Sequence, residues 1–196
     1  MGLGHTKTTV TPQVEVFPKV LENAQGGFTL YNTALTAGDT VYRGTVMGYD
    51  ESTRYAKVVK QAILYEAAEN DDVAYKVKKG HHFKVADIFA YVVGGAAYAI
   101  TEITTTETAY DTITIGTTLG VAIEAGEVLF QAETAGSDTA SLLVEPKGLL
   151  YEDTVVAANE PVSVLIKGTA YKRRLPCGAC DAVVTALSHI VFSESK

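Results

Sequence analysis

Alternation of apolar and polar side chains near the C-terminal end constrains the fold more than any other feature of the chain. In the run VSVLIK, Val162, Val164 and Ile166 fall on one side of an extended backbone, while Ser163 and Lys167 fall on the other. This period of two predicts a strand with one buried face. The proline before the run fits the start of a strand, because proline fixes φ and donates no ladder hydrogen bond.

Composition supports a mainly β fold. Val, Thr, Ala, Gly and Tyr are abundant among the 196 residues and Trp is absent. Val, Thr and Tyr favour strands. A chain of this length buries roughly 70% of its unfolded surface, so it needs neither a disulfide nor a metal ion to fold.

Charge and hydropathy argue against two classes of partner. The net charge is −7 and the sequence pI is about 5.1, and the basic run at 172–174 would be divided between the two faces of a strand. We therefore expect no nucleic-acid binding. The longest apolar run, 88–100, contains two glycines and is too short to span a bilayer. Since the first residues also lack the pattern of a secretory signal, we expect synthesis in the cytoplasm and no membrane partner.

The order of strand and turn signals predicts a divided scaffold with an insertion. Residues 37–60 form a predicted hairpin, and the spacing of apolar runs and glycines between 78 and 133 is typical of a small β-barrel. The predicted organisation is an N-terminal arm (1–27), a scaffold in two pieces (28–77 and 140–176), an inserted all-β unit (78–133), and a C-terminal helix with its tail (177–196).

The N-terminal arm has two interpretations. Its prolines exclude a regular helix, so it is either a flexible tail or an extended segment that becomes ordered on a partner. The side chains available for an added edge strand on a partner are Val10, Val14, Val16 and Phe17.

One helix is predicted, over residues 179–189. It places four apolar side chains at helical spacing, with Asp181 near its positive end. This apolar face, expected to pack either on the body of the protein or on a symmetry-related copy, is Val183, Val184, Leu187 and Ile190.

The two cysteines and two of the histidines are the strongest candidates for metal ligands or redox groups. Cys177 and Cys180 form one CxxC motif, which favours plain thiols and leaves open a metal site between subunits or a redox pair. His81 and His82 are adjacent, so on a strand they would face opposite ways and could not share a metal ion. We interpret them as exposed histidines.

No set of residues points to catalysis. None of the serines lies in a Gly-x-Ser-x-Gly motif, and no phosphate-binding glycine pattern is present. We therefore expect no enzyme activity, no cofactor, and no catalytic, cofactor-binding or metal-binding residues. The tyrosines are single residues along strands, where they serve as half-buried packing side chains or, alternatively, form a carbohydrate-binding face.

Two segments carry a resemblance to a known group of proteins. AGDTVYRGTVMGYDESTRYAKVV (37–59) and KGLLYEDTVVAANEPVSVLIKGTAYKRRLP (147–176) resemble head decoration and head-fibre proteins of tailed bacteriophages. The final residues, LSHIVFSESK, resemble the end of head-fibre proteins of phages that infect Bacteroidales-type hosts. The CxxC motif and the size of the inserted unit are not features that this group requires.

The resemblance implies a structural protein of the virion. It implies a mainly β fold, a barrel or clip-like decoration scaffold with an inserted small β-barrel and a C-terminal helix. Such a protein would bind the major capsid protein on the outer capsid surface, as a homotrimer. Its N-terminal arm, with Val10, Val14, Val16 and Phe17, would contact the capsid. Two alternatives remain: an adhesion module for glycans of the host surface or mucus, and, least favoured, a CxxC thiol-redox protein.

Overall fold

A computed structural model describes residues 15–194. The fold is mainly β with one short helix near the C-terminal end, as predicted, and 40% of the chain is strand. The strands are β1 (Lys19–Asn23), β2 (Phe28–Leu30), β3 (Thr40–Val41), β4 (Val46–Tyr49), β5 (Tyr55–Val58), β6 (Gln61–Ile63), β7 (Ala74–Lys78), β8 (Ile88–Ala90), β9 (Ala97–Thr104), β10 (Tyr110–Ile115), β11 (Val128–Ala132), β12 (Gly148–Leu150), β13 (Thr154–Val155), β14 (Pro161–Val162), β15 (Val164–Tyr171) and β16 (Ile190–Ser193). The helix is α1 (Asp181–Ala186), and a 3₁₀ turn covers Lys172–Arg174.

The first sheet has the order β1-β15-β12-β4-β5-β2-β14, with β16 parallel to part of β15. Its strands β14 and β15 are separated only by Ser163, yet five strand spacings, about 24 Å, would lie between them in a flat sheet. One residue cannot cover that distance, so the sheet curls. The single strand predicted around this point is therefore two strands, because Ser163 lies where the chain passes from one end of the sheet towards the other.

The interior of this curled sheet is an apolar cluster, the first-sheet core. Alternation fills it, since Ala56 and Val58 of β5 are buried while the neighbouring Tyr55 and Lys57 are exposed. Its buried members are Ala24, Phe28, Leu30, Leu35, Val41, Met47, Ala56, Val58, Leu150, Val156, Val162 and Val164.

The second sheet has the order β6-β11-β8-β9-β10-β7, and it curls until its two outer strands meet. Leu64 and Val77 form an antiparallel bridge there, and the Tyr65 N–H donates to Lys76 O at 2.8 Å. The barrel core inside consists of Ala62, Leu64, Ala68, Tyr75, Val77, Phe83, Phe89, Ile100, Ile113, Ile115, Leu119, Ile123 and Leu129.

The strands of the second sheet begin earlier than the predicted unit at 78–133. They run from Gln61 to Ala132, because β6 and β7 pair with β11 and β10 rather than with the first sheet. In sequence the whole sheet still lies between β5 and β12 of the first sheet. The sheet therefore begins before the predicted boundary at 78, because these strand partners are distant in the chain and leave no local signal.

A third cluster, the shared core, joins the two sheets and the C-terminal segment. Small side chains of the second sheet, such as Ala90 and Ala97, lie in the same buried cluster as larger ones of the first sheet. The buried members are Val16, Val46, Val59, Ala90, Ala97, Phe130, Ala132, Ala140, Leu149, Leu165, Ala170, Leu175, Ala179, Cys180, Val183, Leu187 and Ile190.

The described part of the predicted N-terminal arm belongs to the folded body. Val16 is buried in the shared core, and its carbonyl accepts from the Tyr171 N–H at 2.9 Å. The Phe17 ring stacks on Tyr151, and β1 then pairs with β15. Val10 and Val14 lie outside the described residues. From Val16 onward, apolar burial and strand pairing hold this segment on the chain's own body.

The predicted helix over 179–189 is shorter than expected. It covers only Asp181–Ala186, and Ile190–Ser193 forms β16 instead. Ile, Val and Phe favour strands, and the exposed ladder of β15 offers them hydrogen-bond partners. No helix within residues 15–194 has the length and apolar character needed to cross a membrane.

Candidate functional site

The first strand is the most exposed element of the first sheet. Four of its five residues are exposed, on both faces, and Val20 and Leu21 are 40% and 55% exposed. Leu21 lies at an irregularity in the pairing with β15, between the pairs that Val20 and Glu22 form. Gly168 allows the close approach of this strand, because a Cβ there would lie 2.4 Å from Lys19 O. We call Lys19–Asn23 the edge strand.

A buried ion pair lies where the chain leaves the first sheet for the second. Lys60, 2% exposed, donates from Nζ to Asp87 Oδ2 at 2.6 Å. Asp87 also accepts from the Lys84 N–H and from Gln131 Nε2, each at 2.8 Å. Burial lowers the pKa of Lys60, and the Asp87 carboxylate opposes that shift. The network joins the start of β8 and the strand β11 to Lys60, the residue before β6. The Asp87 carboxylate and the Lys60 ammonium are thus already hydrogen-bonded to groups of the protein.

Neither of the two histidines predicted to be exposed is exposed, since His82 is buried and the His81 residue is half-buried with its side chain only 5% exposed. His82 is 8% exposed, and its Nε2 has no hydrogen-bond partner among residues 15–194. His81 Nε2 lies 3.3 Å from Asp111 Oδ2, without the alignment of a hydrogen bond. Burial lowers the pKa of both imidazoles, that of His82 to about 4. The exposed interpretation was wrong because a turn at Gly80, with φ of +89°, and not a strand, carries these residues inward.

The CxxC segment packs the C-terminal region against the second sheet. The Cys177 thiol donates to Gly80 O at 3.4 Å, and the Cys180 N–H donates to Gln61 Oε1 at 2.9 Å. Both thiols are free and buried, and burial raises the pKa of Cys177 to about 12 and also raises that of Cys180. Thiols with such pKa values are protonated at neutral pH, which does not favour thiolate chemistry.

Potential metal ligands do not converge in the described chain. Among residues 15–194, no three His, Cys, Asp or Glu side chains are arranged to hold a metal ion. The Cys177 thiol is hydrogen-bonded to the backbone, and Cys180 lies in the shared core. His81 is near Asp111, and His82 Nε2 has no hydrogen-bond partner among the described residues.

The predicted apolar helix face lies against the chain's own core. Val183, Leu187 and Ile190 are buried in the shared core, and Val184 is partly buried against it. Only the first two of the four predicted residues are in the helix itself, since Leu187 caps it and Ile190 begins β16.

Two of the exposed tyrosines lie side by side on the first sheet. Tyr31 and Tyr55 are 37% and 43% exposed, with ring centroids 5.8 Å apart and planes at 78°. Together with Tyr49, Lys57 and Lys147 they line a cleft of about 360 Å³, which we call the tyrosine cleft.

Sequence reasoning missed the buried ion pair and the tyrosine cleft for different reasons. Tyr55 and Lys57 alternate with buried residues, so their shared face was visible in the sequence. Tyr31 reaches that face only through the parallel pairing of β2 with β5, which has no local signal. Lys60 follows two valines and gave no indication that a carboxylate 27 residues later would pair with it.

Comparison of the chain with protein-family models, curated protein sequences and solved structures gives no match.

Proposed function

We propose that this chain is a structural protein of a bacteriophage head, bound to the outer capsid surface as a homotrimer. The resemblance of residues 37–59 and 147–176 to decoration and head-fibre proteins suggests the role. The observation that carries the proposal is the edge strand, which exposes apolar side chains at the end of a sheet.

The edge strand has the properties of a contact surface. Exposed sheet edges with large apolar side chains promote association unless something covers them. Within the described chain, Lys19–Asn23 pairs with β15 alone. A second copy laid along this strand would cover Val20 and Leu21 and would give partners to its remaining backbone groups.

Trimer formation would explain how modest surfaces hold a protein on a capsid. Three identical weak contacts to the major capsid protein act together, so the assembled trimer binds more tightly than one subunit. In this proposal the protein is made in the host cytoplasm and works on the virion surface.

A structural role without catalysis fits the chemistry of the polar groups. Lys60 and Asp87 are engaged in a buried ion pair, and the two thiols are protonated at neutral pH. Such arrangements stabilise packing and do not present a reactive group to a substrate. We therefore propose no enzyme activity.

Binding to heads tests the proposal. The purified chain is mixed with DNA-free heads assembled from the major capsid protein of the same phage, and the heads are sedimented. We expect the wild-type chain to sediment at a fixed ratio of three copies per site, and Val20→Asp with Leu21→Asp to lower its occupancy at least tenfold. Val85→Asp, which places the same charge at a 58%-exposed valine of another segment, is the matched control. A wild-type chain that stays in the supernatant contradicts the proposal.

A further inference from the structure

The tyrosine cleft lies on the outer face of the first sheet. Gly48 and Lys57 are paired across β4 and β5 and form its floor. Tyr31 stands beside them, because its N–H donates to Ala56 O at 2.7 Å. Opposite Tyr31, Glu145 approaches so closely that a Cβ on Gly48 would lie 2.3 Å from its carbonyl oxygen. The missing side chain of Gly48 therefore sets the position of this wall.

Hydrogen bonds hold the wall that contains Glu145, residues 143–147, in place without any ligand. The Lys147 N–H donates to Met47 O at 2.8 Å, and its Nζ donates to Tyr49 O at 3.0 Å. Upstream, the Leu143 N–H donates to Gln131 O at 3.1 Å. The cleft is thus formed by fixed backbone, which lowers the entropy that a ligand would have to overcome on binding.

Exposed aromatic rings give the cleft its apolar surface. Tyr31 and Tyr55 meet nearly at right angles, and both keep more than a third of their surface in water. Lys57 Nζ lies 5.0 Å from the centre of the Tyr31 ring and steadies it by a cation–π contact. Rings that combine an apolar face with a hydroxyl suit ligands that are themselves apolar on one face and polar at their edge.

The charges around the cleft balance. Lys57 and Lys147 contribute two ammonium groups, and Asp50 and Glu145 contribute two carboxylates. Lys147 Nζ lies 3.5 Å from Glu145 Oε2, and Asp50 is held by the hydroxyl and N–H of Ser52. A ligand with a net charge would gain no overall attraction here, whereas hydroxyl groups could donate to the carboxylates and accept from the ammoniums.

We propose that the tyrosine cleft binds a neutral saccharide, with Tyr31 and Tyr55 contacting a sugar ring and the four charged groups contacting its hydroxyls. This ligand class matches what the cleft offers, because a pyranose has an apolar C–H face and a rim of hydroxyls. The glycans of a host surface or of mucus are a source of such ligands. The inference does not depend on attachment to a phage head.

A glycan array with the purified full chain tests the inference. The array carries neutral glycans of hexoses, deoxyhexoses and N-acetylhexosamines, together with acidic glycans that contain uronate or sialate. Tyr31→Ala and Tyr55→Ala are compared with Tyr65→Ala, the matched control, since Tyr65 is 41% exposed and belongs to the second sheet's side of the molecule. Circular dichroism and thermal unfolding confirm that each variant is folded.

We expect binding to neutral glycans that falls at least tenfold in Tyr31→Ala and in Tyr55→Ala and that is unchanged in Tyr65→Ala. Tyr31→Phe should retain most of the binding, because it keeps the ring. Absence of binding to every glycan, binding to acidic glycans alone, or loss of binding in Tyr65→Ala only would each overturn the inference. Because the assay needs no heads, its failure and the failure of capsid binding are separate results.

Discussion

His82 is the residue whose burial has the clearest consequence for pH dependence. Burial is the main cause that lowers the pKa of its imidazole to about 4, with smaller electrostatic contributions from His81, Asp39 and Lys60. The unfolded chain binds a proton at about pH 6.5, well before the folded chain does. Folding stability is therefore unaffected above about pH 7 and is lost as the pH falls from about 6.5 towards 4.

Replacing His82 with Leu should remove this part of the acid sensitivity. For the wild type, we expect His82 to cost about 2 kcal/mol of unfolding free energy at pH 5 relative to pH 7.5. Urea unfolding at the two pH values measures the difference, which should shrink by about that amount in His82→Leu. His189→Leu, at an exposed histidine, should behave like the wild type. An unchanged pH difference in His82→Leu would show that the imidazole is not buried in neutral form.

Asp87 should be among the most sensitive polar residues. Asp87→Ala leaves the Lys60 ammonium buried without its carboxylate, which we expect to cost about 3–5 kcal/mol of unfolding free energy. Glu66→Ala breaks the exposed pair with Lys76, which water screens, and should cost much less than Asp87→Ala. Chemical unfolding at neutral pH measures both variants.

A double variant distinguishes an unpaired charge from simple loss of packing. Lys60→Met combined with Asp87→Ala removes the charge as well as its partner, so it should be more stable than Asp87→Ala alone. Equal costs for Asp87→Ala and Glu66→Ala would contradict the buried ion pair.

At the scale of elements, the alternation of apolar and polar residues predicted individual strands well. It did not predict which strands pair with one another. The period of two in Tyr110–Ile115 agrees with the buried and half-buried residues of β10. The same alternation predicted one strand across Ser163. Alternation shows which side chains share a face, but it does not show that the backbone pairs with different strands before and after Ser163. The apolar spacing near Val183 predicted a helix, and Asp181–Ala186 form one. Ile190–Ser193 instead form a strand, because they pair with β15.

In the candidate sites too, the residues of one strand could be predicted from the sequence, and their neighbours from distant segments could not. The exposed face of Tyr55 and Lys57 could be foreseen, whereas the approach of Tyr31 and of the segment around Lys147 depends on sheet order. The histidines were misplaced because their loop is held by Cys177, a contact across 97 residues.

Gly178 offers a test of how the C-terminal segment packs on the second sheet. Its φ is +74°, and a Cβ there would lie 2.6 Å from Val128 Cγ2 and 3.0 Å from Ile63 Cγ1. Gly94 has a similar φ of +78° with open space around it. Gly94→Ala should therefore cost only the backbone strain, about 1–2 kcal/mol, while Gly178→Ala adds about 1–3 kcal/mol for the clash.

Thermal and urea unfolding of the two glycine variants give the comparison. If Gly178→Ala is no less stable than Gly94→Ala, the segment that contains the cysteines does not pack as tightly as described.

At the scale of the whole molecule, two curled sheets meet in the shared core, and the edge strand of the first sheet is exposed on both of its faces. The shared core fixes the second sheet to the first through Val59, Phe130 and the C-terminal segment. In the proposed assembly, the edge strand makes contacts between subunits, and the tyrosine cleft remains a separate surface for a ligand.

The mass of the chain in solution is the most direct test of a structural subunit that assembles through its edge strand. Light scattering coupled to size-exclusion chromatography should give about three times the chain mass of 20.8 kDa. The variant with Val20→Asp and Leu21→Asp should elute as a folded single chain, and Val85→Asp should remain a trimer. A wild-type protein that is a single chain at every concentration, or a trimer that the two edge-strand substitutions leave intact, would contradict this account.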